Sequence, residues 1–169
     1  MSITKTITES LEETKSILLQ FDDTMYQKQL AIISEGTIGK HFRHIIEFYF
    51  CLFDKNNDDY ISYDERKRNL LWETSIKESI AIIDFLIENI NTINLGKNIV
   101  LKQSYYNETF NIPTTYQREL IYCFDHSIHH FALIRIAIEN SFPTIVFSKD
   151  FGIAPSTIAY QNLTHASKN

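Results

Sequence analysis

The chain has 169 residues, the size of one domain able to bury a sizeable core without disulfide or metal staples. Its formal net charge of −5 argues against a nucleic-acid partner, which would require a clustered positive field to release counterions from phosphates. Two cysteines exclude a disulfide framework, and only four glycines and three prolines suit long helices better than many short strands.

Taken in chain order, the first helix is predicted from about Thr8 to Phe21, with Leu11, Thr14, Leu18 and Phe21 at three- and four-residue spacing. Thr8 or Ser10 can cap it, and Glu9, Glu12 and Glu13 suit the positive end of its dipole. A connection through Asp22 to Ser34 leads to a second helix starting near Gly36-Thr37. That helix carries Ile38, His41, Phe42, Ile45, Phe48, Tyr49 and Leu52 and stops at the polar run Asp54 to Asp59. The third helix is expected from Asp64 or Glu73 to Asn91, its Ile76, Ile80, Ile83 and Ile87 stripe wide enough for a buried bundle face. Between Asn98 and Pro113 the alternation of Ile99, Leu101, Ser104, Tyr106, Thr109 and Ile112 leaves open a short hairpin or an irregular crossover. The fourth helix starts at Thr114-Thr115 and runs to about Asn140, ahead of Pro143. Residues 147–161 read as a turn into a short helix, and the tail from about 162 to 169 as disordered.

These elements predict an all-α four-helix bundle forming a single domain over residues 1–169. Cys51 and Cys123 sit in aromatic runs and read as buried free thiols. No apolar run approaches the ~20 residues of a spanning helix, and the first residues lack the apolar core of a signal peptide, so no membrane association and a reducing, cytoplasmic location are expected.

Five of the six histidines fall into two clusters, His41 and His44 in the second helix, and His126, His129 and His130 in the fourth. His126 and His130 are four apart, so they lie one turn above each other on one helix face and can converge on a single ion at about 2.0–2.1 Å each. A third ligand has to come from another helix, and His44 or His41 can supply it. Three neutral nitrogens with an open coordination position suit Zn²⁺, Ni²⁺ or Fe²⁺. His129 points about 100° away from His130 and reads as a packed or hydrogen-bonded residue. Glu47, three residues after His44, is open between fourth ligand, general base and surface acid.

The segments Thr37-Ile38-Gly39-Lys40-His41-Phe42-Arg43-His44-Ile45 and His126-Ser127-Ile128-His129-His130-Phe131-Ala132-Leu133-Ile134 resemble those of the DinB-like (DinB/YfiT-like) metal-dependent four-helix-bundle superfamily. Gly39-x-His41-x-Arg43-His44, Tyr63-Asp64-x-Arg66-x-Arg68, Arg118-Glu119-Leu120 and Phe151-Gly152-Ile153-Ala154-Pro155-Ser156-Thr157 resemble a branch of it without an assigned activity. The resemblance implies His44, His126 and His130 as metal ligands. It also implies a homodimer and a metal-dependent thiol S-transferase or hydrolase that acts on a small-molecule substrate and uses a low-molecular-weight thiol. Within that reading Arg43, Arg66, Arg68 or Arg118 would orient an anionic group, and Tyr63, Tyr116 and Tyr122 would serve as donors or as packing.

Two alternatives belong to other classes. Residues 54–65 place oxygen-bearing side chains at the first, third, fifth and ninth positions of a calcium loop and Glu65 at the twelfth, although Asp59 stands where such loops use glycine. A helical bundle without metal, serving dimerisation or ligand binding, is the other.

Overall fold

The computed structural model describes residues 2–54 and 60–166. Four long helices carry most of the core: α1 (Ile3–Leu18), α3 (Ile38–Phe50), α5 (Ile76–Thr92) and α6 (Tyr116–Ser141). Short helices α2 (Asp23–Tyr26) and α4 (Leu71–Thr74) and a 3₁₀ turn at Ala31–Ile33 fill the connections, and α7 (Pro155–Ala166) follows α6. Strands β1 (Asn98–Tyr105) and β2 (Glu108–Thr115) pair antiparallel, in register from Asn98 opposite Thr115 to Tyr105 opposite Glu108.

The molecule is therefore not the pure four-helix bundle expected. Seven α-helices and a two-stranded sheet occur among the described residues. Of the two conformations left open for 98–113, the chain takes the hairpin. Its signal was weak because the turn lacks an Asn-Gly or Asp-Gly pair; Tyr106 itself takes a positive φ of 53° there. The hairpin is tied to the body through Ile61, whose amide donates to the Val100 carbonyl (2.8 Å) and whose carbonyl accepts from Lys102 N–H (2.8 Å). The tail also differs from expectation, because α7 stays helical through Ala166; residues 167–169 lie outside the described residues.

Helix starts follow local chemistry. Ser2, Thr37, Ser75 and Thr115 are N-caps, and each hydroxyl accepts from the amide three residues on, at Lys5, Lys40, Glu78 and Arg118. Ser75 is the reason the third long helix begins at Ile76, later than the Asp64 boundary allowed. Likewise Ser2 caps α1 well before Thr8. Inward faces meet in one core: Ile7, Leu11 and Leu18 of α1, Phe42, Ile45 and Tyr49 of α3, Ile83, Leu86 and Ile90 of α5, Leu120, Ile134 and Ile138 of α6, all buried. Each such aliphatic side chain contributes about 1.5–3 kcal/mol.

Helix α3 is central, packing on α4, α5 and α6. Its approach to α4 requires a missing side chain, since a Cβ at Gly39 would stand 2.1 Å from the Glu73 carbonyl oxygen and 3.1 Å from the Tyr26 ring. Tyr26 closes the same corner, its hydroxyl donating to the Trp72 carbonyl (3.0 Å) beside the Ser79 hydroxyl (3.1 Å). The Gly39→Ala substitution is expected to cost at least about 1–3 kcal/mol in urea denaturation. Gly96→Ala, where the nearest atom to a new Cβ is 3.7 Å away, should stay within about 0.5 kcal/mol.

Candidate three-histidine site

The packing of α3 on α6 brings two histidine clusters face to face. One ligand-competent atom from each of His44, His126 and His130 lies within 4.8 Å of the others. Their ring centroids form a near-equilateral triangle, 4.6 Å from His130 to each of the other two and 5.0 Å from His44 to His126. His41 stands outside that group, its Nδ1 3.2 Å from Nδ1 of His130. His129 is exposed, edge-on to His130, rather than packed.

Nε2 of His44 and Nε2 of His126 are 2.9 Å apart, a hydrogen-bond distance, so one ring carries the proton between them. Nη2 of Arg66 lies 3.4 Å from Nδ1 of His44. A guanidinium only donates, so His44 accepts at Nδ1 and holds its own proton on Nε2, directed at His126. Donors thus run in one direction, from Arg66 through His44 to His126.

Burial is the main reason these imidazoles resist protonation. It pushes His44 down to about 4, with His126, Arg66, Arg43 and His41 adding repulsion. His130 is pushed to about 3 by burial and by His44, His126, His41 and His129. His41 and His126 are lowered too, burial again leading. The rings are therefore neutral at neutral pH, the form that ligates a metal.

Glu47 is only 2 % exposed and is no surface acid. Its carboxylate accepts from Arg66 Nε (3.3 Å) and the Asn69 amide (3.1 Å), and it faces Arg43 Nε at 3.3 Å as an ion pair that is out of line for a hydrogen bond. Arg43 Nη1 donates to Glu73 on α4. Glu47 therefore spends its oxygens on the arginines and backbone, and is not in the ligand group. Phe48 connects the layers, stacked on His126 (4.2 Å between centroids) and on Tyr63 (4.9 Å), with Arg66 over its ring.

A second polar cluster joins Tyr63 to the Arg118-Glu119 pair, which the sequence marked separately without indicating that they meet. Buried Glu119 accepts from Tyr63 Oη (2.8 Å), Thr114 Oγ1 (2.7 Å) and Arg118 Nη1 (3.0 Å), and Tyr63 Oη also lies 3.6 Å from Cys123 Sγ. Tyr63 is thus a buried hydrogen-bond donor, while Tyr122 stacks on His126 and Tyr116 packs against the core. Arg118 is exposed beyond its contact with Glu119, and Arg68 is exposed. Both thiols are free; burial raises Cys51 to about 12 and Cys123 higher, which keeps them as inert thiols.

Of the calcium-like loop, residues 55–59 lie outside the described residues. Its far end is committed elsewhere: Glu65 bonds Lys102 and Tyr60, and Asp64 accepts from the Ser104 amide (3.0 Å). Among the described residues no helix is long and apolar enough to cross a membrane.

Comparison with known proteins changes the family reading. No protein-family profile matches the chain, and no solved structure matches it. The chain is 34 % identical over 107 residues to FK506-binding protein 5 of Rhizopus delemar, a match covering 59 % of this chain and 27 % of that protein. The chain thus spans little more than a quarter of the curated relative it matches. That similarity overturns the resemblance to the DinB-like superfamily, and with it the metalloenzyme reading as a thiol S-transferase or hydrolase. The physical reason is low specificity, because histidines four apart arise on any helix face that carries two of them, and helix order is shared by many bundles. The geometry of the three histidines is independent of that assignment.

The lowered histidines make a testable link to stability. Each folded imidazole holds its proton less tightly than the unfolded one at about 6.5, so the unfolded state binds the excess protons below that pH. The stability that these two histidines contribute to the metal-free protein is fully present above about 6.5 and is lost progressively as pH falls from there through about 4 for His44 and about 3 for His130. Urea midpoints should fall between pH 7 and 5, above the ordinary carboxylate range, and the slope should flatten in His44→Gln/His130→Gln protein.

Proposed function

We propose that this protein binds a divalent transition-metal ion, zinc, nickel or iron, through His44, His126 and His130. The single observation behind the reading is the convergence of three neutral imidazoles within 4.8 Å on two packed helices. A tetrahedral ion with bonds of about 2.0–2.1 Å needs nitrogens roughly 3.3–3.4 Å apart. The 2.9 Å pair therefore opens by only a few tenths of an ångström. Three nitrogen donors leave a coordination position open, and a bound ion would supply Lewis acidity there.

Loading has a local cost that belongs to this chain. Binding at Nε2 moves the His44 proton to Nδ1, where Arg66 can no longer donate, so the guanidinium withdraws from its 3.4 Å contact. Zinc titration of protein purified without a histidine tag should give one ion per chain, lost in folded His126→Ala and His130→Ala variants. Retention of stoichiometric zinc by both variants would remove the site. Arg66→Gln, which replaces the positive charge with an amide oxygen able to accept from Nδ1–H, should tighten zinc by about tenfold or more.

The similarity to FK506-binding protein 5 favours a second reading, a small-molecule ligand of the kind that protein's name records. A cavity of about 500 Å³ has room for such a ligand, with Phe124, Ile128, Phe131 and Phe151 giving apolar wall and Glu9, Glu13 and Asp150 adding carboxylates. Calorimetry with FK506 tests it directly. Saturable heat that disappears in Ile128→Arg protein with unchanged zinc binding supports this reading, and absence of heat with the unaltered chain rejects it.

A further inference from the structure

The mouth of the three-histidine site is a pocket of about 250 Å³ bounded by Gly36, Lys40, His41, Arg43, His44 and His130. No carboxylate lines it, although the chain as a whole carries a net charge of −5. Lys40 and Arg43 are three apart on α3, hence neighbours on its surface, and both side chains can only donate.

The two cations are held differently. Arg43 is anchored from behind, by Glu73 at Nη1 and by Glu47 beside Nε, and its Nη2 makes no hydrogen bond among the described residues. Lys40 is exposed and its ammonium has no ion pair among the described residues. Gly36 keeps the remaining wall clear: a Cβ there would stand 2.9 Å from the Ile33 carbonyl oxygen and 3.6 Å from Nε2 of His41. The volume falls below the ~300–1,000 Å³ of pockets for drug-sized ligands, which restricts the occupant to a small molecule.

We infer that this pocket receives a small carboxylate, held by the Lys40 ammonium and the free amino group of Arg43 beside His44 and His130. A planar carboxylate matches a guanidinium edge, and the fixed Arg43 loses little freedom in accepting it. The inference shares its site with the metal reading and deepens it, yet Lys40 and Arg43 act in the metal-free protein as well, so the two fail separately.

The test is a ¹H–¹⁵N NMR titration with sodium acetate, at ionic strength held constant with sodium chloride, on metal-free and zinc-treated protein. Saturable shifts should centre on the Gly36 and Lys40 amides in the metal-free protein, and affinity should rise about tenfold where zinc is bound. Lys40→Glu should weaken acetate by about fivefold or more in either form, and Lys40→Arg should retain it. Shifts that stay linear with acetate, or that survive Lys40→Glu unchanged, overturn the carboxylate pocket. Zinc that fails to bind overturns the metal reading alone, and the metal-free titration still decides the pocket.

Discussion

The carboxylate of Glu47 is the contact on which the site depends. It is buried inside α3, where an unpaired charge would cost several kcal/mol, so the surrounding chain has to bring partners to it. Arg66 and the Asn69 amide come from the segment after the undescribed residues, and Arg43 comes from one turn earlier on α3. Through Arg43 the same charge reaches Glu73 on α4. One acid thus gathers a connecting segment, a short helix and the histidine-bearing helix.

This arrangement sets the electrostatic character of the histidines. Arg66 is drawn in by Glu47 and, once there, donates to His44 and caps the Phe48 ring that stacks on His126. Burial already disfavours the charged imidazole, and nearby guanidinium groups reinforce that. The outcome is a cluster of neutral nitrogen donors walled by cations. A neutral donor set suits a divalent ion and the cationic rim suits an anion, and Glu47 acts on both by fixing Arg43 in that rim and by holding Arg66 against His44, where it opposes loading of an ion.

Similarity to FK506-binding protein 5 and the geometry of the histidines concern different parts of the problem. The first is a likeness in sequence that covers 59 % of this chain and 27 % of a longer protein. The second is a statement about atoms that this chain brings together. The aromatic groove beside α7 and the polar mouth beside α3 are separate cavities with no common lining residue, and an apolar ligand in one and an ion in the other are physically compatible.

Much of the fold was legible in the residues. Three- and four-residue apolar spacing located the long helices, because a helix buries one face whatever it packs against, and the starts expected near Gly36-Thr37 and at Thr114-Thr115 fall where Thr37 and Thr115 cap α3 and α6. The pairing of His126 with His130 was equally local, a consequence of 3.6 residues per turn. Extra short helices and the hairpin were harder to read, since four-residue helices carry too little periodicity and the turn at Tyr106 carries no glycine. What only tertiary structure decided was distance between segments far apart in sequence: His44 rather than His41 beside His126, Glu47 buried between two arginines, Tyr63 on Glu119. Sequence spacing reports neighbours along one element, whereas the meeting of α3 with α6 is set by how whole side-chain surfaces fit, and no single residue encodes that.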